Sequence, residues 1–230
     1  MKPWAFLWAI FLALVTANTA FAHRPIFVEP RSNTTRANAI KIGDPEISWA
    51  VYAQLSDAGE VNYYRFDGKR GLRVRIETLV PHSESARAFG FDVALIGKGF
   101  DAAHVPFALE AGEGVIIAPE AGQDDARVFD EHVTQTSYWQ RQGLRAQLPA
   151  DGTYWIAVYD PRGRTGKYVL SIGEREEWGA DDLVSMPSII ARVREFVGLG
   201  TLTIPVMPMG LGIVVLAILA RVVALVRRSK

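Results

Sequence analysis

The chain has 230 residues, no cysteine, and 25 basic against 25 acidic residues. A formal charge of zero without a basic stripe excludes the usual kinds of nucleic-acid-binding protein, and the absence of cysteine excludes a fold held by disulfides. Roughly 150 residues remain between two apolar ends, which is enough for one domain with its own core.

Residues 1–22 have the pattern of a secretory signal peptide. Lys2 supplies the positive start, residues 4–15 are apolar, and the sequence Ala-Phe-Ala at residues 20–22 has the small residues of a cleavage site. An uncleaved membrane anchor is the competing interpretation, and the small residues at the cleavage site disfavour it. The sequence therefore predicts export and a mature chain that begins at His23.

The segment from residue 23 to residue 177 is predicted to be one all-β domain. Short apolar segments with a period of two are separated by turn residues, and no internal helix stands out. This pattern is typical of a jelly-roll-like antiparallel β-sandwich. Seven or eight strands are predicted, at residues 39–42, 49–55, 61–66, 72–77, 91–96, 111–117, 154–159 and 167–172, and residues 79–88 are predicted to be a polar loop.

Residues 152–172 contain two strand patterns joined by Asp-Pro-Arg-Gly at residues 160–163, which is strong turn chemistry. Tyr154 and Trp155 begin two apolar faces of the first strand, so both faces need cover. The sequence predicts a hairpin here that closes the sandwich.

The strand at residues 72–77 has one apolar face and one charged face. Leu72, Val74 and Ile76 alternate with Arg73, Arg75 and Glu77, as in a strand with one side in solvent. We interpret the charged face as solvated rather than as a ligand patch.

Residues 178–200 are predicted to be a juxtamembrane linker with an amphipathic helix. Ser185 can cap this helix and Pro187 falls in its first turn. The helix is expected either to lie on lipid headgroups or to stiffen a stalk, unless it continues into the membrane. Its apolar face consists of Ile189, Ile190, Val193, Phe196 and Val197, and its polar face carries Arg192 and Glu195.

Residues 201–226 are predicted to be a transmembrane helix. The apolar stretch 206–226 is long enough to cross a hydrocarbon core of about 30 Å, and basic residues cluster at its end and in the tail, residues 227–230. Basic residues mark the cytoplasmic side, so the domain is expected outside the cytoplasm, in the periplasm or at the cell surface. A cleaved lipid-anchor signal is the alternative, but such signals end in apolar residues.

Five segments together carry a family resemblance. GEVNYYRF at 59–66, GLRVRI at 71–76, FDVALI at 91–96, ADGTYWIAV at 150–158 and GKYVLSI at 166–172 resemble the bacterial pre-peptidase C-terminal domain. The resemblance covers residues 40–173. It implies a jelly-roll-like sandwich of a kind attached to secreted enzymes, of which some bind polymers or calcium. Since no catalytic domain accompanies it here and a membrane anchor is predicted, we expect a free-standing module that binds or scaffolds.

Calcium is one possible cofactor. Asp124, Asp125, Asp130 and Glu131 lie in an acidic interval, residues 118–135, that has no assignable counterpart in the resemblance. Calcium requires six to eight oxygen ligands, which these carboxylates could partly supply. No EF-hand or repeat spacing orders these carboxylates, so a solvated acidic loop is the favoured interpretation.

Copper is a second possible cofactor and the basis of an alternative function. A mature terminus at His23 would offer an amine and an imidazole, and His82, His104 or His132 could add a third nitrogen. The arrangement is similar to the histidine brace of certain copper proteins. The alternative function is therefore copper binding or copper-dependent redox chemistry.

A third candidate is an aromatic ligand surface formed by Tyr138, Trp139, Trp155 and Tyr159, suited to a polysaccharide or a peptide. Aromatic residues of a sandwich more often fill its core. The motifs of hydrolases and phosphate-binding loops do not occur in the sequence. We therefore predict a non-catalytic module that contacts the membrane through its C-terminal helix and binds envelope proteins or a polysaccharide.

Overall fold

The computed structural model describes residues 23–122, 127–177 and 180–200, which form two facing β-sheets and one long helix. The strands are β1 (Arg24–Phe27), β2 (Ile40–Lys41), β3 (Trp49–Leu55), β4 (Val61–Gly68), β5 (Arg73–Pro81), β6 (Asp92–Lys98), β7 (Glu113–Ala118), β8 (Arg127–Glu131), β9 (Thr136–Gln147), β10 (Gly152–Tyr159) and β11 (Gly166–Ile172). The helices are a short 3-10 turn (Arg36–Asn38), α1 (Glu84–Arg87) and α2 (Ala180–Phe196).

The strands form a sandwich of two sheets. The six-stranded sheet has the order β1-β3-β11-β5-β9-β8, and the five-stranded sheet has the order β2-β4-β10-β6-β7. Within them β3-β11-β5-β9 faces β4-β10-β6-β7, which is the strand order of a two-sheet jelly roll. The sandwich predicted from the sequence is confirmed, but it is not purely antiparallel, because β1 pairs with β3 and β2 with β4 in parallel.

The core lies between the sheets and follows the period of two. Val51, Ile76, Tyr154, Ile156 and Leu170 are among the side chains in this layer, and all are fully or almost fully buried. Alternate residues of the same strands point to the outer faces. The predicted apolar face of β5 is confirmed, since Val74 and Ile76 are buried while Arg73 is exposed.

The outer face of the five-stranded sheet is covered by the loop that connects β6 to β7. Phe107 makes edge-to-face contacts with Tyr63 at 5.9 Å and with Tyr159 at 5.3 Å between ring centroids. Val105 and Leu109 pack on the same cluster. The loop therefore removes the apolar outer residues of this sheet from solvent.

Helix α2 covers part of the outer face of the six-stranded sheet. Ile190 and Val193 are buried, and Val193 packs with Tyr52, Tyr138 and Val169 of the sheet. The predicted apolar face of the helix is confirmed, but it packs on the sandwich rather than on lipid headgroups or along a stalk. The helix also begins at Ala180, so that Pro187 lies inside it rather than in its first turn.

Three further predictions about the strands need correction. β10 and β11 do not pair with each other, because residues 160–165 cross between the sheets, so the predicted hairpin is wrong although both strands exist. The acidic interval, interpreted as a solvated loop, contains the strand β8. Residues 79–88, which are predicted to be a loop, instead continue β5 to Pro81 and then form α1.

None of the helices in the described residues is long and apolar enough to cross a membrane. The segments predicted as the signal peptide, residues 1–22, the transmembrane helix, residues 201–226, and the tail, residues 227–230, lie outside the described part of the chain.

Candidate functional site

The outer face of the six-stranded sheet has an open groove beside the part that α2 covers. It lies where β5 begins and β9 and β11 end, and its volume is about 740 Å³. The residues that line it are Glu46, Arg73, Val74, Arg75, Arg145, Ala146, Gln147, Gly173, Glu174 and Arg175. We call this feature the arginine groove.

The pairing of β5 with β9 brings the arginines together. Arg75 lies directly opposite Arg145, and Arg73 lies opposite Gln147. Arg73 and Arg145 are exposed, and neither forms an ion pair with another described residue. Guanidinium groups that have no carboxylate partner within the protein are available to bind an anion from outside it.

Arg75 differs from its neighbours because it already has carboxylate partners. Its guanidinium binds Glu77 on the same strand and lies 2.9 Å from Glu174 Oε1. Partial burial lowers the pKa of Arg75, but the two carboxylates raise this pKa by more than burial lowers it, so the guanidinium stays charged. Arg75 is thus held in place by the protein, while Arg73 and Arg145 are available to a ligand.

The far wall of the groove is positioned by a close approach of two backbone segments. Gly173 has a φ of +78°, and a Cβ at this position would lie 2.2 Å from the carbonyl oxygen of Ile47, so only glycine fits. The Arg175 N–H donates to the Glu46 carbonyl at 2.8 Å, and the Arg175 guanidinium lies 2.6 Å from Asp44 Oδ2. These contacts fix the backbone of residues 173–175 against residues 44–48.

The chemistry of the arginine groove suits binding of carboxylates. A guanidinium presents a planar fork of donors that matches a carboxylate in a bidentate arrangement. Arg73 and Arg145 lie on neighbouring strands and are offset by two residues, which places such diagonal neighbours about 7 to 8 Å apart, a spacing that one extended acidic chain could span. No aromatic side chain is among the described residues that line the groove.

The four histidines predicted as copper ligands lie in different places. Nδ1 of His23 is hydrogen-bonded to Oγ of Ser48, and burial lowers the pKa of His23. His82 packs against Trp139 with tilted rings and 4.2 Å between ring centroids, while His104 and His132 are exposed in a loop and a turn. Within residues 23–122, 127–177 and 180–200, no three His, Asp or Glu side chains are grouped so that they could hold a metal.

Two of the four carboxylates predicted for calcium have hydrogen-bond partners in the β8–β9 hairpin. Asp130 accepts from Ser137 Oγ at 2.6 Å, and Glu131 accepts from the N–H groups of Val133 and Thr134 at 2.9 and 2.6 Å. Both residues therefore stabilise the turn. Asp124 and Asp125 lie outside the described residues.

The predicted aromatic surface is not continuous. Tyr138 lies under α2 and Tyr159 under the β6–β7 loop, and both are buried. Trp139 and Trp155 are partly exposed, but they belong to opposite sheets, and arginines 87 and 36 cover their rings at 5.3 and 5.1 Å. Packing, the alternative role for these residues, therefore accounts for Tyr138 and Tyr159.

Comparison with known proteins adds information on the fold. No family model matches the chain, and no curated protein matches it. The fold is a β-sandwich that other proteins share. Similar solved structures include a periplasmic inhibitor of g-type lysozyme, PliG, from Aeromonas hydrophila, with 15% identity, a TM-score of 0.33, and coverage of 65% of this chain and 95% of that one.

Two further structures carry a similar sandwich. The pre-peptidase C-terminal domain of collagenase from Bacillus anthracis has 14% identity and a TM-score of 0.31 over 57% of this chain and 91% of that one. The secreted copper-binding protein MopE of Methylococcus capsulatus has 10% identity and a TM-score of 0.30 over 67% and 99%. The sandwich that the resemblance to pre-peptidase C-terminal domains implied is present in this chain as two facing sheets.

Sequence reasoning missed most of the arginine groove. The alternation of Arg73 and Arg75 with apolar residues is visible in the sequence, but by itself it indicates only a solvated face. Arg145 and Gln147 show the same alternation, but the sequence does not show that β9 pairs with β5. Arg175 lies after the last strand, where no periodic pattern indicates its position.

Proposed function

We propose that this protein is a non-catalytic binding module, held at the outer surface of a membrane, whose arginine groove binds an acidic segment of a partner protein. Residues 1–22 would direct export, residues 23–177 with α2 would form the module, and residues 201–226 would anchor it. The observation that carries the proposal is the exposed pair Arg73 and Arg145, on adjacent strands and without an ion-pair partner among the described residues.

The position of α2 supports an outward-facing groove. The helix runs back along the sheet. In its last turn the carbonyl oxygen of Phe196 accepts a hydrogen bond from Nζ of Lys167, a residue near the start of β11. The groove lies where β11 ends. At about 1.5 Å per helical residue and 3.3 Å per strand residue, α2 and β11 have similar lengths. The chain therefore leaves the module at the end opposite the groove, and an anchor there would point the groove away from the membrane.

The lining of the groove favours a protein over a sugar polymer. Sugar-binding sites use exposed aromatic faces, which the described lining lacks. Arginine is enriched at protein interfaces, and the mixture of arginines with Glu46 and Glu174 suits a partner segment that carries mostly carboxylates with a few basic residues.

The proposal is tested with the full chain in detergent micelles and a labelled oligoglutamate peptide. The double charge reversal Arg73→Glu/Arg145→Glu should weaken binding at least about tenfold, because it replaces the two available guanidiniums by repelling carboxylates. Affinity of the unchanged protein should fall as salt is raised, since the groove is open to solvent. Oligolysine serves as the peptide control.

A matched variant separates the groove from the charge of the whole protein. Arg65→Glu/Lys98→Glu changes the charge equally, and both residues lie on the five-stranded sheet, where they line a different depression. This variant should bind oligoglutamate as the unchanged protein does. Equal losses in both double variants, or no loss in the first, would contradict the proposal.

A further inference from the structure

The four outer edges of the two sheets are not protected equally. Edge strands expose unpaired backbone groups, and proteins usually protect them with proline, short length, charge or a covering segment. β1 contains Pro25, and β2 has two residues, one of them Lys41. At the edge of β7 the Val115 N–H donates to the Asp101 carbonyl at 2.9 Å, so a loop covers it. These three edges cannot easily accept another strand.

Within the described part of the chain, the edge strand β8 has no proline and no covering segment, and its protection is limited to the charges of Arg127, Asp130 and Glu131. It has five residues and no proline or lysine, and it pairs regularly with β9 along its length. No described residue outside β9 forms a backbone hydrogen bond with it. Val128 and Phe129 are 48% and 36% exposed, and they are two of the three large apolar residues exposed among the described residues.

The sequence of β8, Arg-Val-Phe-Asp-Glu, is complementary to itself in the antiparallel direction. If two copies pair about a twofold axis at Phe129, Arg127 of each lies opposite Glu131 of the other, and the two Phe129 rings face each other. Directly opposite residues have Cβ atoms about 5 Å apart, and opposite charges there are favourable. In a parallel pairing of the same strands, like charges would be adjacent.

From this juxtaposition we propose that β8 is a self-association edge, at which a second copy of this chain pairs antiparallel with β8 and joins the two six-stranded sheets. A twofold interface of this kind is isologous, so the same five residues supply both sides. The partner is a second copy because the charge order and the central aromatic residue match this strand itself. The inference is independent of the arginine groove, which lies where β9 ends, whereas β8 pairs with the beginning of β9.

Single cysteines give a direct test, because the chain contains none of its own. In the proposed pair the two residues at position 129 are directly opposite, with Cα atoms about 4.5 to 5.5 Å apart, within the range of a disulfide. The two residues at position 128 are offset by two and lie about 7 to 8 Å apart. Full-length Phe129→Cys in detergent micelles, where the two copies need not share one bilayer, should form disulfide dimers under mild oxidant at least about tenfold faster than Val128→Cys, because the 128 pair lies outside that range.

A charge variant and a second measurement complete the test. Adding Arg127→Glu to Phe129→Cys should slow dimer formation several-fold, because it places two glutamates opposite each other, whereas Arg127→Lys should not. Sedimentation of the cysteine-free chain in detergent should show a dimer that Arg127→Glu converts to monomer, and unfolding curves confirm that each variant is folded. Equal rates for the two cysteine variants, a monomer at all concentrations, or capture of another protein in place of a second copy would overturn the proposal.

Discussion

The outer face of the six-stranded sheet is divided into two halves that use the same strands differently. In the covered half, Tyr52, Val169 and Tyr138 lie under α2 and are buried. In the open half, β5 and β9 present Arg73, Arg145 and their neighbours to solvent. The same strands contribute to both halves, so the outer face changes from apolar to charged along the length of each strand and not from one strand to the next.

This division shows why one face can be both structural and functional. Apolar outer residues must be covered, and α2 supplies that cover with Ile190 and Val193. Charged outer residues need no cover, and burying them without partners would destabilise the fold. The half that α2 leaves open is therefore free to bind, and substitutions in the two halves should have different consequences.

The largest effect is expected in the covered half, from Val193→Asp. The side chain of Val193 is 1% exposed and packs against Tyr52 and Tyr138, so a carboxylate at this position would be buried without a partner. We expect a loss of about 3 kcal/mol in unfolding free energy, measured by denaturation of the full chain in detergent. The exposed helix residue Glu195 provides the control, since Glu195→Ala should change stability by less than about 0.5 kcal/mol. An unchanged Val193→Asp variant would mean that α2 does not pack on the sheet.

A smaller effect is expected from Arg194→Ala, which tests the link between α2 and the β8–β9 turn. The buried Arg194 guanidinium donates to the carbonyl oxygens of Thr134 and Gln135 at 3.0 and 3.3 Å. Its removal leaves two carbonyls without these donors and should cost about 2 kcal/mol. Hydrogen exchange should also rise in residues 131–136. Loss of stability without faster exchange in that turn would argue against the link.

The smallest effect on stability is expected in the open half, from Arg145→Gln. Arg145 is exposed and forms no ion pair with a described residue, and the facing Arg75 already has two carboxylate partners. Unfolding free energy should therefore change by less than about 0.5 kcal/mol. Binding of oligoglutamate should nevertheless weaken. A marked destabilisation would show that Arg145 supports the fold instead.

Much of the sandwich could be predicted from local sequence because alternation reports burial directly. Tyr154, Ile156 and Val158 alternate with the half-buried Trp155 and the buried Ala157 and Tyr159, so the alternation correctly indicates cover on both faces. The apolar face of α2 was likewise visible from its spacing. Each of these features depends on a few neighbouring residues whose period reflects one element.

The arginine groove and the partner of α2 could not be predicted in the same way. A turn such as the one at residues 160–163 fits a hairpin and a crossing between sheets equally well. The sequence therefore does not show that β10 and β11 lie in different sheets. An amphipathic helix shows that one face is covered but not by what, and the sequence therefore suggested lipid where the sheet lies. The copper ligand at His23 stays a prediction, which mass spectrometry of the mature N-terminus can test.

The most direct measurement of the central claim is to map where the acidic probe binds. An oligoglutamate peptide with a photoreactive group is crosslinked to the full chain, and the modified residues are identified by mass spectrometry. We predict adducts in residues 73–75, 145–147 and 173–175, which line the arginine groove, and their loss in Arg73→Glu/Arg145→Glu. Adducts confined to the β6–β7 loop or to β8, unchanged by that double substitution, would contradict the assignment of the groove as the binding site.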